Sequence, residues 1–406
     1  MCRTFPVVSD SVDQHEPTDP YGFNRLDLGW LRAKRGAKWS EPDVLPAWVA
    51  DMDFPLAPPV RAALEAMVDR GDLGYPAWFA EGCPLAGAFA ERMAECHGWK
   101  VDPAAVRGFG DLLQILQVVL HLTTEPGDAV ALHVPQYPPF LATLRRMRRV
   151  AVPCPLEAVD SGWAFDLARL ADQLAATRCR TLLLVNPHNP TGRMFTRAEL
   201  TGLAELVVER DLLVIADEVH ADLGYPPHQH IPFATVDSEV AARTVTMTSA
   251  TKAFNIAGIR CAVAHVGPPA LRDTLDALPD DLFGPLNVLG VEATTAAWRD
   301  GGDWLTSVRA HLRANRDLLA ALLARRLPGV RFRPPQATYL AWLDCRELAL
   351  PVEPTKFFLE QARVQLSPGP TFGPGGDGFV RLNFATSAPI LTEIVDRMAE
   401  AVDGLG

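Results

Sequence analysis

Three stretches of the 406-residue sequence close an apolar run with side chains able to do chemistry. After TLLLV comes NPHNPTG (Asn186 to Gly192), after LLVIA comes DEVHADL (Asp217 to Leu223), and after TVTMT comes SATKAFNIAGIR (Ser249 to Arg260). Each residue has a plainer account when taken singly. Asn189 suits a Pro-flanked turn, Asp217 a helix cap, His220 a hydrogen-bonded, half-buried imidazole, and Lys252 a surface lysine. Open α/β sheets, however, bind ligands in the crevice beyond the carboxyl ends of their strands, so consecutive strand ends bring these groups to one place. A lysine amine makes a Schiff base with an aldehyde, a carboxylate keeps a pyridine nitrogen protonated, and polar donors hold a phenolate oxygen and a phosphate. Those are the needs of pyridoxal phosphate.

The elements that would carry these groups are legible as alternating patterns. Helical periodicity is expected over Leu112 to His121 and over Ala198 to Glu209, the latter opened by Thr196 and Glu199 as a capping box. Strands are expected at Ala129 to His133, Leu182 to Val185, Leu212 to Ala216, Thr244 to Thr248 and Cys261 to Val266. Continuous apolar strands separated by helices imply a mostly parallel sheet covered on both faces. Beyond residue 290 the character changes to a long helix over Trp304 to Arg326, strands at Tyr339 to Leu343 and Phe379 to Phe384, and a final helix. The division expected is an N-terminal segment, 1–55, that joins the small domain; a large cofactor-binding domain, 56–290; and a small α+β domain, 291–406. The first twenty residues or so read as an arm or tail.

Composition narrows the function classes. Apolar residues make up 48% and charged residues 21%, a globular balance, and the net charge of -11 disfavours nucleic-acid binding. Seven scattered cysteines suggest neither a disulfide framework nor a zinc ribbon and fit a reducing compartment. No leader-like start and no run of about 20 apolar residues is present, so a soluble, cytoplasmic protein without membrane contact is expected. His228 and His230 have His-x-His spacing but no third ligand at a recognisable spacing. A Pro-rich surface loop is expected there, and no metal site.

The sequence resembles fold-type I pyridoxal-phosphate enzymes of the aminotransferase class I/II superfamily, and within it the MalY/PatB-like carbon–sulphur β-lyases. The resemblance runs from about Phe23 to the C-terminus. It is carried by LPAWVADMDFP (45–55), GYP (74–76), QYPPF (136–140), NPHNPTGR, DEVHADL, SATKAFNIAG, TYLAWLD (338–344) and FGPGGDGFVRLNFAT (372–386). It implies that Lys252 bonds the cofactor aldehyde and shuttles the Cα proton, and that Asp217 pairs with the ring nitrogen. Asn189 and His220 contact the phenolate oxygen, Tyr137 stacks on the ring, and Ser249 and Arg260 bind the phosphate. Tyr75 reaches that phosphate from a neighbouring subunit, making a homodimer with shared sites. Arg381, whose planar fork suits two carboxylate oxygens, clamps the substrate α-carboxylate; the plainer account is an exposed strand arginine. Trp48 and Val49 line the substrate pocket, although Trp48 could equally be core.

Gly108 and Gly110 precede a helix whose free N–H groups suit an anion, so Gly110, Asp111 and Leu112 are further phosphate candidates. Asp111 departs from the family pattern, which has an apolar residue there. Because a carboxylate repels a phosphate, Asp111 is expected to turn its side chain away and cap the helix. A second departure is Ala337, where the family has glycine, with an expected effect on the pocket. The reaction implied is α,β-elimination from cystathionine or another cysteine S-conjugate, giving thiol, pyruvate and ammonia. Transamination by an aminotransferase is the alternative. His220, where typical class I aminotransferases carry tyrosine, favours elimination. A non-enzymatic regulator on the same fold is disfavoured by intact Lys252, Asp217, Asn189 and Arg381.

Overall fold

Apart from Thr181, the stretch Thr181–Val185 offers water nothing on either face. It can be a strand only if covered on both sides, and all five residues are buried. In the computed structural model, which describes residues 19–78, 82–160, 162–279 and 282–405, it lies inside a seven-stranded sheet. In chain order the strands are β1 Val106–Phe109, β2 Ala129–Val134, β3 Val150–Pro155, β4 Thr181–Val185, β5 Leu213–Asp217, β6 Thr244–Thr248 and β7 Ala262–Val266. Across the sheet they run β1-β7-β6-β5-β4-β2-β3. Neighbours from β6 to β3 are parallel, and β7 alone opposes both its neighbours. The mostly parallel sheet read from the sequence is therefore present.

Alternation along each strand divides the core in two. Leu183 and Ile215 join a cluster with Ile115, Leu116 and Val119, whereas Leu182, Leu184 and Val214 join one with Leu170, Leu200 and Leu203. The helices supplying those partners include α3 Leu112–Thr123, α5 Leu167–Thr177 and α6 Arg197–Glu209, which follow α1 Pro58–Arg70 and α2 Pro84–His97, with α4 Pro138–Arg146 lying between α3 and α5. The reciprocal Thr196–Glu199 capping box opens α6.

The second sheet contains β8 Arg331–Phe332, β9 Leu340–Asp344, β10 Ser367–Pro368 and β11 Phe379–Asn383, all antiparallel in the order β8-β9-β11-β10. The helices after β7 include α7 Val288–Asp300, α8 Gly302–Arg326, α9 Pro354–Ala362 and α10 Ala388–Asp403. Helix α7 packs on α1 and α2, so the boundary expected at residue 290 falls within a helix that lies against the large sheet's helices. Leu45–Pro46 pairs in parallel with Val364–Gln365, and Asn383 N–H donates to the Ala47 carbonyl at 2.8 Å. The N-terminal segment thereby lies against the small sheet. The expected tail falls almost wholly on residues 1–18, outside the described residues.

Candidate active site

Parallel pairing aligns Asp217 with both Val185 and Met247, so the ends of β4, β5 and β6 lie side by side. This register brings Asn189, Asp217, His220, Ser249 and Lys252 to one cavity of about 160 Å³, together with Gly110, Asp111, Leu112, Tyr137 and Arg260. Asp217 is buried, and its Oδ1 accepts from Val219 N–H at 3.1 Å. Burial raises its pKa to about 7, even though the Val219 hydrogen bond and the Lys252 charge favour the carboxylate. A buried acid so poorly compensated is matched to a cation that the chain itself does not provide.

Lys252 is partly exposed as a residue, yet its amine turns inward and Nζ donates to the Ala50 carbonyl at 2.9 Å. Burial pushes its pKa below the ordinary lysine value, with Asp51 opposing and Arg381 assisting. The Ala50 carbonyl also accepts from the Tyr339 hydroxyl at 2.8 Å. Buried His220 is pushed down to about 3, chiefly by burial and then by the charges of Lys252 and Arg381, so its ring is neutral at physiological pH. Its Nδ1 has no protein partner among the described residues. Tyr137 stands just before α4, its ring 5.2 Å from that of Phe140.

Arg381 projects from β11 and is buried. Its Nη1 donates to Asn189 Oδ1 at 3.1 Å, and its Nη2 donates to the Trp48 carbonyl at 2.9 Å and to Ser367 Oγ at 3.2 Å. Burial lowers its pKa to about 10, which leaves it cationic at neutral pH, and its Nε is unpartnered among the described residues. Arg381, Trp48 and Val49 do not line the cavity. Trp48 instead meets Arg381 through its backbone, and the Val49 carbonyl accepts from Asn383 Nδ2 at 2.6 Å. Tyr75 is 95% exposed and does not line this chain's cavity either.

At the other end of the cavity Asp111 caps α3, its Oδ1 accepting from Gln114 N–H at 2.7 Å. Its other oxygen does not turn away from the expected phosphate ligands, because Oδ2 pairs with Arg260 Nη2 at 2.6 Å. Gly110 N–H donates to Gln114 Oε1 at 2.7 Å, and Ser249 Oγ donates to the Cys261 carbonyl at 2.6 Å. Ala337 is fully buried outside the cavity. Its N–H donates to the Gly192 carbonyl, tying its backbone to the NPHNPTG turn, and it is not among the residues lining the cavity.

The surface-loop expectation for the two histidines needs correction. His228 is exposed, but His230 is buried with Nε2 2.9 Å from Glu218 Oε2, because the carboxylate beside Asp217 requires a partner. Among the described residues no cluster of His, Cys, Asp or Glu could hold a metal ion. Ser367, Asn383, Tyr339 and Asn255 were missed as site-building residues. Tyr339 and Asn383 lie in motifs already singled out, whereas Ser367 has no local signal. Asn255 sits at φ 56° and holds both the N–H and the carbonyl of Met52, each at 2.8 Å.

The donor set fits pyridoxal phosphate: an inward amine, a buried acid wanting a cation, an orphaned imidazole nitrogen, and a helix start flanked by a serine and an arginine. The chain belongs to the aminotransferase class I and II family, whose model matches residues 57–398. Within that family it is 34% identical to cystathionine beta-lyase PatB of Bacillus subtilis, over 91% of this chain and 95% of that protein. It is 33% identical to protein MalY of Escherichia coli, over 85% of this chain and 88% of that one. The crystal structure of the PLP-bound C-S lyase from Staphylococcus hominis matches with a TM-score of 0.88 at 27% identity, over 94% of this chain and 99% of that one.

Proposed function

We propose that this chain is a pyridoxal-phosphate-dependent carbon–sulphur β-lyase, acting on cystathionine or a related cysteine S-conjugate. The observation that carries the reading is the Lys252 amine, drawn inward with a lowered pKa in a cavity shared with Asp217, Asn189 and His220. Likeness to β-lyases along nearly the whole chain selects elimination. When bound, pyridoxal phosphate supplies the electron sink for a carbanion at the substrate Cα.

Lys252 would provide the amine that holds the cofactor's aldehyde and the base that takes the Cα proton, and its lowered pKa keeps more of it in the neutral, basic form. Asp217 holds the positive charge of the ring nitrogen, and that cation in turn favours its carboxylate form. Asn189 and neutral His220 hold the phenolate oxygen, and Tyr137 packs on the ring. Ser249, Arg260 and the start of α3, at Gly110 to Leu112, hold the phosphate. Arg381 binds the substrate α-carboxylate beside Trp48 and Val49. The C–S bond breaks with its electron pair leaving on the thiolate, and water completes the conversion to pyruvate and ammonia. Tyr75, exposed on its own subunit, serves the phosphate of a partner in a homodimer. Among the described residues no helix is long and apolar enough to cross a membrane.

The purified enzyme, incubated with cystathionine and no 2-oxo acid, is expected to release thiol, pyruvate and ammonia in equal amounts. Lys252→Ala is expected to lose both this activity and the long-wavelength absorbance of the lysine-bound cofactor. Turnover that requires a 2-oxo acid would instead identify an aminotransferase.

A further inference from the structure

A second cavity, of about 610 Å³, opens beside the catalytic segment and is lined by residues of α2, α6 and α8 as well as of 221–235. Its wall carries three guanidinium groups, those of Arg92, Arg197 and Arg309, against the carboxylate of Asp222. Arg92 Nη2 pairs with Asp222 Oδ1 at 2.7 Å, and its Nη1 donates to the Trp298 carbonyl at 3.3 Å. Arg309 spends Nε and Nη2 on the Gly224 carbonyl, at 3.1 and 2.7 Å, which accepts hydrogen bonds but neutralises no charge. Arg197, exposed at the start of α6, adds a third cation where the helix dipole is also positive. In a chain of net charge -11 this cavity is locally cationic.

Burial supplies a second, independent sign. Arg92 is 7% exposed, yet its Nε–H has no partner among the described residues. A buried N–H left unsatisfied costs about 1–3 kcal/mol, and water alone could relieve that cost. Water would leave the charges of Arg197 and Arg309 uncompensated, whereas an anion answers both deficits, and the volume exceeds that of a single small ion. We propose that this cavity binds a small polyanion of the phosphate class, held by Arg92, Arg197 and Arg309, as a site separate from the catalytic one. Because Asp222 lies two residues past His220 and Glu218 adjoins Asp217, the ion pairs that line or adjoin the cavity are continuous with the catalytic segment.

The test is calorimetric titration of the cofactor-loaded enzyme with inorganic pyrophosphate, the phosphate end of the catalytic cavity being already filled. One equivalent per subunit is expected, weakened about tenfold or more by Arg309→Gln and by Arg197→Gln. Arg331→Gln, which removes a surface arginine paired with Glu347 elsewhere, is expected to leave binding unchanged. Arg197 is exposed, so its variant tests the proposal even where Arg309→Gln, losing its bonds to Gly224, lowers the unfolding midpoint. Absence of saturable binding up to about 10 mM, or an equal loss in Arg331→Gln, overturns the site.

Discussion

Asp217 concentrates the electrostatic cost of the site in one residue. The unfolded chain ionises this carboxyl near its ordinary 3.8, the folded chain only near 7. Between those values the folded state therefore holds the extra proton, and stability falls as pH rises; below 3.8 both states are protonated and the difference vanishes. Asp217→Asn removes the charge. In the cofactor-free enzyme the variant should gain on the parent from pH 4 to pH 7 by an amount on the order of a few kcal/mol, read from denaturant midpoints. A difference that stays flat across that window refutes the assignment. Asp217, Asn189 and Lys252 were legible in the sequence because each follows an apolar run whose strand identity is nearly forced. The Asp111–Arg260 ion pair was not, since β1 and β7 are neighbours only through antiparallel pairing between residues distant in sequence.

At the scale of elements, the segment 47–53 is neither helix nor strand, and other elements hold it by its carbonyls. Trp48 O accepts from Arg381 and Ser367, Ala50 O from Lys252 and Tyr339, and Asp51 O from Lys38 and Asn383. A segment without periodicity gives no local signal of such anchoring, which is why the attachments of the WVADMDF motif were not readable; of its residues only Ala50 lines the cavity, and not the expected Trp48 and Val49. Strands and helices with strong patterns were read almost to the residue: Thr244–Thr248 coincides with β6, and α8 starts two residues before the expected Trp304. Asn383 ties the strap to β11 through two hydrogen bonds of 2.6 Å, to Val49 O and Asp51 O. Asn383→Leu keeps most of the volume but removes one donor from each carbonyl, leaving Asp51 O to Lys38 and Val49 O to the Asp51 N–H, and strands the Ala385 N–H that donates to Asn383 Oδ1 at 2.7 Å. It should cost about 1–3 kcal/mol of stability and raise KM for the amino-acid substrate more than it lowers kcat. A KM unchanged in a destabilised variant would show that the strap serves folding alone.

For the whole molecule, the proposed sharing of sites between subunits is the claim with the broadest consequence. The described chain gathers the amine, the acid and the imidazole from its own strand ends, but Tyr75 is 95% exposed on a segment outside the cavity. The sequence could give Tyr75 a role only through family resemblance, because no pattern within one chain encodes where a second copy stands. Two inactive variants, Lys252→Ala and Tyr75→Ala, carried on opposite subunits of a mixed dimer, place both lesions in one site and leave the other intact. Equal mixing with free subunit exchange makes half of the dimers mixed, so about a quarter of all sites should be intact. Activity restored to roughly that fraction, against either parent alone, supports sharing. If the exchanged mixture shows no more activity than the average of its two parents, Tyr75 acts within its own subunit or not at all.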